Sequence, residues 1–188
     1  MFYTPKIQRA IKFANDVHHG QIRKGKPNEP YILHPLSVGL ILARAGASED
    51  QTVAGILHDT IEDCDPYGSI TKDTIEKEFN CDVARMVNDV TEQDKTLPWA
   101  VRKQRALEHM KEMREDSLLL KSADVLQNLS DLLLDLEENE KEAYSHFNAP
   151  KEDVLKRFQN LVKEFEKLCP NNPLLPEIRE HVSQISKS

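Results

Sequence analysis

The chain has 188 residues, of which 25 are Lys or Arg and 32 Asp or Glu, for a formal charge of −7. That length fits one domain with a full apolar core, and the acidic balance argues against general nucleic-acid binding, which needs a basic face to neutralise phosphates. No run of about 18 apolar residues exists to cross a membrane, and Met1-Phe2-Tyr3-Thr4-Pro5-Lys6 lacks the basic-then-apolar order of a signal peptide, so a cytoplasmic protein is expected.

Helical periodicity dominates from the first residues onward, with no convincing alternating strand. Thr4-Pro5 reads as an N-cap followed by proline at the first helical position, and Ile7, Ile11, Ala14 and Val17 or His18 make the stripe behind it. Gly20 through Ile32 is a loop rich in Gly, Pro and Lys. A second helix is expected from near Pro35 to just before Gly46, a natural left-handed cap. Ser48 with Gln51 forms a capping box that opens a third helix. That helix is expected to run through Asp63, where Cys64-Asp65-Pro66-Tyr67-Gly68 breaks it. Short helices follow over Lys72–Phe79 and Asp82–Thr91, and Pro98 can start another after a polar loop. The strongest pattern spans Asp116 to Glu137. Val154, Leu155, Phe158, Leu161, Val162, Phe165 and Leu168 then form an amphipathic stripe that reads as core-facing, and Pro170 to Pro173 separates a last short helix. Cys64, Cys81 and Cys169 are odd in number and far apart, which suits reduced thiols. The expected architecture is all-α: one domain over residues 1–188, its core over about 4–165, with the C-terminal helices packed on it.

Three places concentrate chemistry. His58-Asp59 and Glu62-Asp63 put four ionisable groups at the end of an otherwise apolar segment. On a continuous helix, His58, Glu62, Asp59 and Asp63 would point to about 0°, 40°, 100° and 140° and share one half of the surface. Buried charge of that density calls for compensation, such as a cation. On the Asp116–Glu137 helix, Lys121, Asp124, Asn128, Asp131 and Asp135 follow one another by three or four residues and form a polar ridge on a leucine-rich helix. A helix apolar on most sides is buried, so the ridge is expected to face a cleft rather than solvent. His34, before Pro35, means little alone. With His58, Asp59 and Asp124 it completes a possible set of two imidazoles and two carboxylates, which suits Mn(II), Fe(II) or Zn(II) better than calcium.

The ordered set His34, His58-Asp59 and Asp124 resembles the HD superfamily of metal-dependent phosphohydrolases. More narrowly, the chain resembles the hydrolase domain of RelA/SpoT proteins and the stand-alone small alarmone hydrolases. Gly20-Gln21-Ile22-Arg23-Lys24, Glu29-Pro30-Tyr31-Ile32-Leu33-His34-Pro35, Leu57-His58-Asp59-Thr60-Ile61-Glu62-Asp63 and Lys121-Ser122-Ala123-Asp124 carry that resemblance. Asp94-Lys95-Thr96-Leu97-Pro98 and Arg102-Lys103 with Arg105 are similar to the metazoan-type members. The resemblance implies that His34, His58, Asp59 and Asp124 hold one Mn2+ and that Glu62 and Asp63 are the catalytic carboxylate pair. It implies that Arg23, Lys24 and Asn128 contact a small nucleotide, guanosine tetra- or pentaphosphate, whose 3′-pyrophosphate is removed; Lys121 is a further candidate for binding it. The chain departs from the family pattern at Lys26-Pro27-Asn28, Glu92, Val125, Gln127 and Ser130. Two other readings remain open: a phosphohydrolase acting on another 3′- or 2′-phosphorylated nucleotide of the adenine or nicotinamide type, and a nucleotide-binding regulator without turnover.

Overall fold

A computed structural model describes residues 3–62, 70–92, 94, 96–140, 142–145 and 147–187. Among them lie nine α-helices: α1 (Pro5–Val17), α2 (Leu33–Arg44), α3 (Glu49–Leu57), α4 (Lys72–Glu78), α5 (Cys81–Val90), α6 (Trp99–His109), α7 (Glu115–Asn139), α8 (Lys151–Leu168) and α9 (Leu175–Ile185). A short 3₁₀ turn, Met110–Glu112, follows α6. Among the described residues the nearest approach to a strand is one isolated bridge between Ile22 and Pro30, which pinches the α1–α2 loop.

The helix starts follow local capping chemistry. The Thr4 hydroxyl accepts from the Ile7 amide ahead of Pro5. Ser48 and Gln51 exchange both bonds of a capping box at α3, and Asn80 caps α5. Gly46, after α2, takes a φ of +78°, the left-handed conformation that glycine adopts without strain.

The long helix α7 is the spine. It packs against α2, α3, α5 and α9, while α2 and α3 lie against each other. Glycines permit that last approach: a Cβ on Gly39 would sit 2.6 Å from Ile56 Cγ1, and one on Gly55 would sit 2.5 Å from Leu42 Cδ1. Leu118, Leu120, Leu126, Leu129 and Leu132 of α7 are buried, as the leucine-rich pattern requires. The stripe on α8 also points inward through Val154, Phe158, Leu161 and Phe165. One apolar cluster joins Ile7 on α1 to Ile185 on α9. Cys81 and Cys169 are free thiols, and Cys64 lies outside the described residues. No helix of the described residues is long and apolar enough to cross a membrane.

One sequence expectation needs correction. Helix α3 ends at Leu57, with His58 as its C-cap, instead of continuing through Asp63. Side chains capture the last carbonyls: His58 Nδ1 bonds the Gly55 oxygen at 2.8 Å, and the Thr60 hydroxyl and amide both bond the Leu57 oxygen, at 2.7 and 2.9 Å. Such local bonds compete with the i→i+4 ladder and turn the chain. Asp59 and Glu62 therefore stand on a turn, so the helical-wheel angles do not apply to them. Asp63 lies outside the described residues. A smaller difference is that α2 begins at Leu33, which places His34 in its first turn.

Candidate metal centre and its cleft

Three elements converge on one point: the first turn of α2 brings His34, the end of α3 brings His58 and Asp59, and the middle of α7 brings Asp124. The two imidazoles are buried and their Nε2 atoms stand 3.1 Å apart. Asp59 Oδ2 lies 3.4 Å from His34 Nε2 and 3.2 Å from His58 Nε2. Asp124 Oδ1 lies 3.5 and 3.9 Å from the same two nitrogens.

The neighbours decide which ring nitrogens carry protons. The Gln127 amide nitrogen donates to Asp131 at 3.0 Å, which leaves Gln127 Oε1 as an acceptor facing His34 Nδ1 at 2.5 Å. His58 Nδ1 faces the Gly55 carbonyl. Both Nδ1 atoms are thus held as donors, and both Nε2 lone pairs turn toward each other and toward two carboxylates. Left unprotonated, the two imidazoles would face the two carboxylates as acceptors and repel them, so the arrangement calls for a proton or a cation at its centre. Ligands at neighbouring positions on an ion with bonds of about 2.1 Å stand about 3 Å apart, close to the spacing here. The mutually close donors of His34, His58 and Asp59 fit a divalent cation, and Asp124 Oδ1 stands beside both nitrogens.

The surrounding bonds orient the carboxylates. Tyr31 OH donates to Asp59 Oδ2 at 2.7 Å. Lys121 Nζ donates to Asp124 Oδ2 at 2.9 Å, and Asn128 Nδ2 to Asp124 Oδ1 at 2.6 Å. Arg23 from the α1–α2 loop reaches Asn128 at 2.8 Å and Asp131 at 3.0 Å, with its guanidinium 5.7 Å from the centre of the Tyr31 ring. A cavity of about 220 Å³ opens over the cluster, and Glu62, Glu92, Lys103, Phe147 and Arg157 complete its wall.

A family model described as HD domain matches residues 10–154. The chain belongs to the HD-domain family. Guanosine-3′,5′-bis(diphosphate) 3′-pyrophosphohydrolase MESH1 of Xenopus tropicalis is 42% identical over 128 residues, covering 67% of this chain and 69% of that one. The human protein of the same name is 40% identical over 129 residues, covering 68% and 69%. The solved structure of a metazoan SpoT orthologue, described as hydrolysing ppGpp and acting in starvation responses, superposes with a TM-score of 0.80 at 26% identity, over 98% of this chain and 97% of that one. A Listeria monocytogenes crystal structure gives a TM-score of 0.71 at 33% identity, over 84% and 98%. The all-α HD fold and the likeness to stand-alone metazoan SpoT homologues thus agree with the sequence motifs.

The electrostatics of this HD domain follow from its geometry. Burial disfavours charge on His58. Asp59, Asp124 and the Gly55 carbonyl outweigh that and raise its pKa to about 9. Burial lowers His34 to about 4, with the neighbouring His58 and Arg23 charges opposing Asp59 and Asp124. Asp59 and Asp124 are also desolvated, yet the facing His58, with Lys121 beside Asp124, holds both well below the ordinary carboxylate range. At the rim, Glu92 accepts from Arg102 at 2.5 Å and from Lys103, and its amide donates to Glu62 Oε2 at 3.1 Å. Burial, reinforced by the charge of Arg157, brings Lys103 down to about 8 against the pull of Glu92.

The structure brings His34, His58, Asp59, Glu62, Arg23, Lys121, Asp124 and Asn128 to this one cavity. Lys24 stands apart: it bonds Asn148 at 3.2 Å and lines an adjoining basic cavity. The ridge on α7 does face clefts, with Asp131 and Asp135 in the adjoining one. Sequence reasoning passed over Tyr31 and Gln127 as supporting groups, although both stood inside or beside the recognised motifs. It also passed over Arg157, which is flanked by the α8 stripe and carried no signal of its own.

Proposed function

We propose that this HD-domain protein is a Mn2+-dependent hydrolase, a single domain over residues 1–188. It removes the 3′-pyrophosphate from guanosine tetra- or pentaphosphate, giving GDP or GTP and pyrophosphate. The supporting observation is the convergence of two imidazole nitrogens and two carboxylates at the floor of a cavity that Glu62 also lines. The activity named for the MESH1 relatives supports the choice of nucleotide.

In this reading His34, His58, Asp59 and Asp124 hold the ion. When bound, it supplies positive charge to a phosphoryl oxygen and makes a nearby water easier to deprotonate. Lys121 takes Asp124 Oδ2 and leaves Oδ1 toward the histidines. Glu62, held by the Glu92 amide, accepts the proton of the attacking water. The bond from phosphorus to the 3′ oxygen breaks, and that oxygen leaves as a hydroxyl on taking a proton. Asp63, the other carboxylate of the pair assigned from the sequence, is the proposed donor of that proton. Arg23, Lys24, Lys121 and Asn128 receive the nucleotide.

Chromatographic product analysis with guanosine tetraphosphate, with and without Mn2+, tests the reaction, the bond cleaved and the metal together. GDP and pyrophosphate appear only with the ion. Intact substrate in both arms rejects the reading, and release of orthophosphate assigns a different bond.

A further inference from the structure

Three cavities meet at one side chain, Arg157 on α8. It lines the metal-centre cavity, the adjoining basic cavity of about 240 Å³, and a third of about 190 Å³ between α6 and α8. Most cations of these walls are already matched. Arg23 is bonded by Asp131 and Asn128, Lys26 by Asp131 and Asp135, Arg102 and Lys103 by Glu92, and Lys121 by Asp124. Arg157 differs. Among the described residues no carboxylate pairs with its guanidinium, and none of its N–H groups donates a hydrogen bond; the guanidinium lies over the Phe158 ring, 5.5 Å from its centre. Asp124 and Glu92 lie close enough to act on its charge, yet neither bonds it.

The Arg157 guanidinium is part-buried where these cavities meet, and its N–H donors are left open to a ligand. Its planar fork fits two oxygens of one phosphate, which a point-charge ammonium does not match. The place of that phosphate follows from the cavities. Arg157 lines the same cavity as the metal centre, within the space open to a phosphate next to the one under attack.

We propose that Arg157 is a substrate-binding residue that grips the terminal phosphate of the 3′-pyrophosphate and so favours a 3′-diphosphate over a 3′-monophosphate. This rests on the hydrolase reading above and names a contact of the same site. The probe is inorganic pyrophosphate, titrated calorimetrically into the Mn2+-loaded full chain. Arg157→Gln weakens its binding about tenfold or more, the scale of a charge-assisted hydrogen bond, with helical content unchanged by circular dichroism. Unchanged affinity in that variant, or no binding to the unsubstituted protein, overturns the proposal. A second measurement needs no variant. Saturating pyrophosphate protects Arg157 from phenylglyoxal while Arg44, exposed on the surface and paired with Glu177, stays labelled; equal labelling of Arg157 with and without pyrophosphate also overturns it. The two readings fail separately. Pyrophosphate held through Arg157 with guanosine tetraphosphate left intact rejects only the hydrolase reading. Turnover of guanosine tetraphosphate with pyrophosphate affinity indifferent to Arg157 rejects only this one.

Discussion

Asp124 is bonded on both sides, by Lys121 and by Asn128, and faces two imidazoles. Its removal takes away an acceptor and leaves the Lys121 ammonium without its partner. Asp124→Ala is expected to lose bound Mn2+ and activity together, and normal metal content by atomic spectroscopy in that variant would contradict its place as a ligand. Glu62 lies farther out on the turn. Glu62→Gln keeps the metal but lowers kcat by about 10²–10⁴, the usual scale of general-base catalysis; steady-state turnover beside a metal assay separates the two effects. Gln127 acts through His34, whose Nδ1 it holds at 2.5 Å. Loss of such a supporting bond typically costs about 10–100-fold in metal affinity, so Gln127→Ala is expected to need that much more Mn2+ for half-maximal activity. Its role was visible in sequence only as a departure from the family pattern. Spacing along α7 does not say which neighbour an amide will meet across a helix interface.

At the scale of elements, the site depends on where helices stop and how they are tied. The end of α3 at Leu57 puts His58 and Asp59 side by side at the cavity floor, an outcome no helical period contains. Helices α5 and α7 are tied by Arg85, which bonds Asp116 at 2.5 Å and Asp89 at 3.2 Å. Burial opposes the charge of Asp116, but the Arg85 hydrogen bond and charge outweigh it and hold the carboxyl below its ordinary 3.8. A carboxylate depressed in the folded state contributes stability that is fully present above its unfolded pKa and is lost as pH falls through the folded one. Asp116→Asn is therefore expected to cost about 1 kcal/mol at neutral pH, after allowance for solvent screening, and the difference from the parent should shrink below about pH 4. Urea titrations at pH 7 and pH 3 check it; an equal deficit at both values would remove the ion pair as its cause.

For the whole molecule, the metal centre links α2, α3 and α7, so the ion is expected to stabilise the assembled fold rather than one segment. A ligand at 100 times its Kd contributes about 2.7 kcal/mol, which for a chain of this size corresponds to a rise of roughly 5–10 °C in Tm. Differential scanning calorimetry should show that rise with Mn2+, its reversal with a chelator, and little response in Asp124→Ala. An equal response in that variant would place the stabilising ion elsewhere. Read alone, the sequence determined the helical class, the caps at Thr4, Ser48 and Gly46, and the core-facing stripes of α7 and α8, and it put forward His34, His58, Asp59 and Asp124 as a candidate set. These rest on local capping chemistry, on periodicity and on the order of motifs, all written along the chain. Only the tertiary structure decided that α3 stops at Leu57, that Gln127 and the Gly55 carbonyl turn both Nε2 atoms inward, that Lys24 stands in the adjoining cavity, and that Arg157 reaches the site with no carboxylate paired to it among the described residues. Those facts depend on which surfaces meet when distant helices pack, and a one-dimensional spacing does not encode that.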